Sequence, residues 1–120
     1  MPVRSLNSSV LRWPDSKMVD RAVRAWAGAI ARVRPEVLRI GYFGSYARGD
    51  WGVGSDLDLV VIVKGSELPF AKRRVGWNTD SLPVPTDLLI YTAEEWEALR
   101  GGGRFGRALF SDTVWVYTRE

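Results

Sequence analysis

Neither cysteine nor histidine occurs in the 120 residues of this chain. Their absence removes disulfides, thiolate metal sites, cysteine nucleophiles, the commonest general base and the commonest zinc ligand. Any chemistry must therefore rest on carboxylates, hydroxyls and arginine. Long apolar runs are missing too. Nothing approaches the roughly 18 residues of a membrane span, and Met1 to Asp15 lacks the apolar centre of a secretory signal, so a cytoplasmic location with no membrane partner is expected. A basic block is also lacking. The net charge is +3 and arginine far outnumbers lysine, but the basic residues are scattered along the chain. That pattern predicts a solvated surface in place of a nucleic-acid partner.

What is present is ordinary for a soluble globular protein: 46% hydrophobic and 26% charged residues. The length predicts one domain over residues 1–120 with a single core, so a second half of any site is expected from another chain. Residues 15 to 34 read as an amphipathic helix capped by Asp15 and stopped by Pro35. Its apolar positions are Val19, Ala22, Val23, Trp26 and Ile30, while Arg21, Arg24 and Arg32 face solvent. Val37 to Phe43, bounded by Pro35 and Gly44, reads as a strand. A short helical stretch follows Gly44-Ser45 and cannot pass Gly49. Leu57 to Val63 is apolar throughout, as expected of a central strand covered on both faces. Leu68 to Trp77 is assigned one helix, with Lys72, Arg73 and Arg74 on a solvated side. Val84 to Tyr91 reads as a third strand, approached through prolines and interrupted by Asp87. Thr92-Ala93-Glu94-Glu95 matches a capping box and opens a helix to about Arg100. Gly101-Gly102-Gly103 is a flexible break, Phe105 to Phe110 a last helical turn, and Val114 to Thr118 a last strand. No internal repeat or low-complexity segment occurs. The alternation predicts an α/β (α+β) fold, with a mixed sheet of about four strands flanked by helices.

The stretch GSYARGDWGVGSDLDL, residues 44–59, carries the chemistry. Side chains two apart on a strand share a face, so Asp56 and Asp58 project together while Leu57 and Leu59 enter the core. Two such charges about 6 Å apart repel by roughly 3 kcal/mol at an effective dielectric near 20. Shared protonation, an arginine between them, or a divalent cation relieves that cost. With hard oxygen ligands and no histidine or cysteine, the cation of choice is magnesium or manganese. Magnesium borrows ligands from substrate phosphates, which points to a nucleoside triphosphate. Gly44 lets the backbone approach a ligand, Ser45 offers a hydroxyl, and the helical turn presents unpaired N–H groups to phosphate. Asp87 supplies a third acid from another apolar strand; the alternative is a residue simply facing water. Arg48 either contacts the triphosphate or pairs with Asp50, and Ser55 either orients Asp56 or caps the loop.

Gly44-Ser45, ten intervening residues, Asp56-Leu57-Asp58, and an isolated aspartate on a later strand resemble the nucleotidyltransferase superfamily typified by DNA polymerase beta. Within it the wording GSYARGD…SDLDL looks most like the minimal nucleotidyltransferases, and the resemblance covers about residues 36–91. It implies transfer of a nucleoside monophosphate, with loss of pyrophosphate, using ATP and Mg2+ or Mn2+. Gly44 and Ser45 would hold the β- and γ-phosphates and Asp56, Asp58 and Asp87 the metals, with Asp87 also the general base. Small members of this kind are often encoded beside an all-helical HEPN protein, in pairs resembling toxin–antitoxin modules. A HEPN-type partner is therefore expected, and its hydroxyl is the expected acceptor of AMP. A homo-oligomer is left open, as are a binding subunit that neutralises a helical partner without catalysis, and transfer to a small molecule such as an aminoglycoside.

Six tryptophans exceed what so small a core needs. Trp51, Trp77 and Trp96 are expected to contribute to an exposed apolar partner surface, with Trp26 and Trp115 in the core.

Overall fold

The computed structural model describes residues 13–119. The signal-peptide reading of the first fifteen residues falls mostly on residues 1–12, outside the described ones. Helix α1 (Ser16–Val33) starts where Asp15 accepts a hydrogen bond from the Met18 amide at 2.9 Å. Val19, Val23, Trp26 and Ala27 recur along one face and are buried, while Arg21, Arg24 and Arg32 stay exposed. The helix ends at the residue before Arg34, because Pro35 disfavours a helical conformation at its predecessor.

A four-stranded sheet follows, built from β1 (Val37–Phe43), β2 (Leu57–Val63), β3 (Thr86–Thr92) and β4 (Val114–Thr118), in the order β3-β2-β1-β4. β1 pairs antiparallel with both β2 and β4, and β2 pairs parallel with β3. The sheet is therefore mixed, as expected. Between β1 and β2 lies the single turn α2 (Ser45–Arg48); after β3 come α3 (Ala93–Arg100) and α4 (Gly103–Asp112). Leu57, Leu59 and Val61 of β2 pack in one cluster with Val19, Val23 and Trp26 of α1. Val60 and Ile62 pack in a second with Trp96 of α3 and Leu109 of α4. Helices on both faces explain why β2 is apolar at almost every position.

Four expectations need correction. Residues 68–77 do not form a helix; only the 3-10 turn Phe70–Lys72 is helical. Pro69 is extended at its start and Gly76 has φ +88 near its end. In between, Arg73 is not on a solvated face but 8% exposed, bonded to the carbonyls of Leu68 and Ile90 and bidentate to Glu95 at 2.5 and 3.0 Å. Burying that guanidinium pulls the segment into turns. Secondly, β3 begins at Thr86 and not at Val84, because Val84 lies between two prolines that cannot donate to a ladder. Thirdly, the tryptophans do not form an exposed surface. Trp96 is buried edge-on to Trp115, half-buried Trp51 stacks on Tyr46 at 5.6 Å, and half-buried Trp77 lies on Trp26 at 6.2 Å. The final helix is also longer than the turn expected at 105–110, since it runs from Gly103 to Asp112.

Candidate active site

β1 delivers the chain to Gly44, whose φ of +80 and ψ of −154 lie where L side chains are strained. A Cβ at this position would also collide with Oδ2 of Asp58 on the adjoining strand. Glycine is thus required twice over, by backbone conformation and by close approach. Phe43 is the ladder partner of Asp58, so the end of β1 and the start of β2 form one corner. Ser45 opens α2, and Gly49 at φ +89 closes it. Because α2 is a single turn, it offers peptide N–H groups at short range and little macrodipole.

Asp56 and Asp58 line one cavity of about 440 Å³ with Gly44, Ser45 and Arg48. Asp58 is half-buried and Asp56 exposed. Asp87 stands opposite Asp58 in the parallel β2–β3 register. It is exposed at the start of an edge strand, not buried in an apolar one, and it lies beyond the residues lining the cavity. Burial lifts the Asp58 carboxyl above the usual aspartate range; the charges of Asp87 and then Asp56 add to the rise, and Arg48 opposes it. Asp87 and Asp56 therefore both act electrostatically on Asp58. The three carboxylates do not converge into a cage: among the described residues no three such groups stand close enough to hold a metal.

Arg48 lines the cavity and pairs with Asp50 at 3.2 Å. Ser55 accepts a hydrogen bond from the Gly52 amide at 2.8 Å and so caps the loop. The remaining wall is α4, through Phe105, Leu109 and Asp112. These were not legible as site residues. Their i, i+4, i+7 spacing marks one helix face, but nothing in the sequence says what that face meets.

The donor set suits a hard divalent cation. Asp56, Asp58 and Ser45 bring only oxygen donors to the cavity, and burial first, then the charges of Asp87 and Asp56, raise the proton affinity of Asp58. Magnesium is commonly bound by one or two carboxylates plus substrate phosphates, so an open Asp56–Asp58 pair fits it without a protein cage.

A mixed sheet with helices on both faces, a glycine-serine turn and an adjoining carboxylate pair define the nucleotidyltransferase class. The chain belongs to the Nucleotidyltransferase domain family, whose model matches residues 27–110. Among solved structures it is similar to a Sulfolobus solfataricus protein assigned as a nucleotidyltransferase. That match has 21% identity and a TM-score of 0.64, and covers 87% of this chain and 84% of the other. It is also matched, at 17% identity and a TM-score of 0.49, to a toxin–antitoxin structure with AMP-PNP, covering 81% and 74% of the two chains. No curated protein matches it in sequence.

Proposed function

We propose that this nucleotidyltransferase transfers AMP from ATP, with magnesium or manganese, to a hydroxyl of a helical HEPN-type partner, as the antitoxin of a toxin–antitoxin pair. The observation that carries the catalytic part is the Gly44–Asp58 corner, where a side-chain-free turn and a proton-hungry carboxylate meet at one cavity. Gly44 and Ser45 receive the β- and γ-phosphates. Asp56 and Asp58 hold the cation, with Asp87 approaching from the next strand. When bound, the divalent ion neutralises charge on the phosphates and acidifies the acceptor hydroxyl. The acceptor oxygen bonds to the α-phosphorus, the bond to the β-phosphate oxygen breaks, and pyrophosphate leaves. Asp87, exposed and therefore open to an incoming acceptor, takes the hydroxyl proton.

Phe105, 54% exposed, projects from the α4 wall of the same cavity and offers a stacking face to the nucleobase. Exposed Val53, on the loop leading into Asp56, adds apolar surface for a protein partner.

ATP labelled at the α or the γ position tests the reading. Only the α label should remain on the partner, as an added AMP on a tyrosine, serine or threonine, and Asp87→Asn should remove it. Retention of the γ label overturns the mechanism. A stable complex without label transfer would identify a binding subunit instead.

A further inference from the structure

A cavity of about 600 Å³, larger than the carboxylate site, lies in a neighbouring groove between α1 and α2, floored by Tyr42 of β1. Lys17, Arg21 and Arg24 stand at i, i+4 and i+7 along α1, which places them on one stripe. Arg48 closes the groove from α2 and is shared with the carboxylate cavity. The one acid in the lining, Asp20, is already committed: Arg24 Nε reaches one of its oxygens at 2.8 Å and the Tyr42 hydroxyl donates to the other at 2.8 Å. Arg48 is paired with Asp50 on the rim. Among the described residues Lys17 and Arg21 have no ion-pair partner. Basic residues scattered through the sequence are thus gathered by the fold into one concave, positively charged surface.

We infer that this groove is a docking site for an acidic segment of the partner polypeptide, held beside the reactive centre while a different part of the partner presents its hydroxyl. The inference deepens the proposed function by naming the partner's chemistry, and rests on that reading for its purpose. Position supports docking over catalysis, because the groove neighbours the Asp56–Asp58 cavity across α2 and contains none of the site's carboxylates. Charge complementarity selects an anionic ligand, and guanidinium groups pair bidentately with carboxylates. A nucleic-acid backbone fits less well. The cations do not continue as a track, since the next cavity along adds no basic residue beyond the shared Arg48.

Fluorescence anisotropy without nucleotide tests this, using a labelled glutamate-rich peptide, a glutamine peptide of equal length and a single-stranded oligonucleotide. The acidic peptide should bind the full chain, weaken as salt is raised, and lose about tenfold or more in affinity in Arg21→Glu and in Lys17→Glu. Arg21→Gln should show a smaller loss in the same direction, with magnesium–ATP affinity unchanged in all three variants. Asp58→Asn should retain peptide binding, so a failed transfer reaction and a failed docking site give different results. No binding by the acidic peptide, binding indifferent to Arg21→Glu, or an Arg21-dependent preference for the oligonucleotide would each overturn the proposal.

Discussion

At the scale of single residues, Asp58 is the most informative position. Its carboxylate occupies the space that a side chain at residue 44 would need, so one glycine and one aspartate specify each other across two strands. The folded chain binds a proton at Asp58 more tightly than an unfolded chain would, which means that its contribution to stability falls as pH rises through that raised range. Asp58→Asn removes the charge. It should leave the melting temperature unchanged or slightly higher, while weakening magnesium–ATP binding by about 30-fold or more, as expected when one partner of a desolvated charge contact is lost. Calorimetry and a thermal melt on one preparation check both halves. Unchanged affinity would mean that the carboxylate pair is not the metal site.

Among the elements, α3 shows how a local signal acquires a long-range role. Thr92 and Glu95 form the capping box read from the sequence, with Glu95 bonding the Thr92 amide at 2.9 Å. The same Glu95 carboxylate holds Arg73, 22 residues earlier, and so ties the irregular segment at 65–80 to the start of the helix. The Arg73 hydrogen bonds lower the Glu95 carboxyl from its ordinary 4.5 to about 2. For an acid depressed in the folded state, the stabilisation is present above the unfolded value and is lost as pH falls from 4.5 toward about 2. Glu95→Gln should cost on the order of 1–2 kcal/mol near neutrality, less than a fully buried pair because solvent screens the half-exposed glutamate. Its melting temperature should draw toward that of the wild type as pH falls from 4.5 and converge only at about 2 or below, and parallel curves over that range would rule the ion pair out as the cause.

For the molecule as a whole, the sheet order creates the site. Placing β1 and β2 at the centre sets Gly44 against Asp58, and the parallel return of β3 sets Asp87 opposite Asp58. Packing α4 over the same end adds a wall that no local pattern announces. If Phe105 stacks on the base, Phe105→Ala should weaken ATP binding by about 1 kcal/mol or more, roughly fivefold, because a base–aromatic stack contributes on that order. Inorganic tripolyphosphate, which has no base, should bind both proteins equally in the same titration. An equal loss for both ligands would show that the substitution distorts the cavity.

What the sequence determined was whatever depends on neighbours along the chain. The Asp15 cap, the run Leu57–Val63, the turn that cannot pass Gly49 and the Thr92–Glu95 box are short-range physics, and β1, β2 and β4 lie where they were expected. The aspartate pair and glycine-serine turn were legible for the same reason: their spacing follows from strand geometry and from backbone freedom at glycine. Tertiary structure decided the rest. Arg73 went inside because Glu95 and two carbonyls, distant in sequence, compensate its charge, which no window around residues 68–77 contains. The tryptophans went inward because neighbouring aromatic faces were available to them. Phe105 joined the cavity, and Lys17, Arg21, Arg24 and Arg48 became one surface, because helices separated along the chain pack against the same end of one sheet. Burial and charge are sums over spatial neighbours, and which residues are neighbours is fixed only when the sheet has formed.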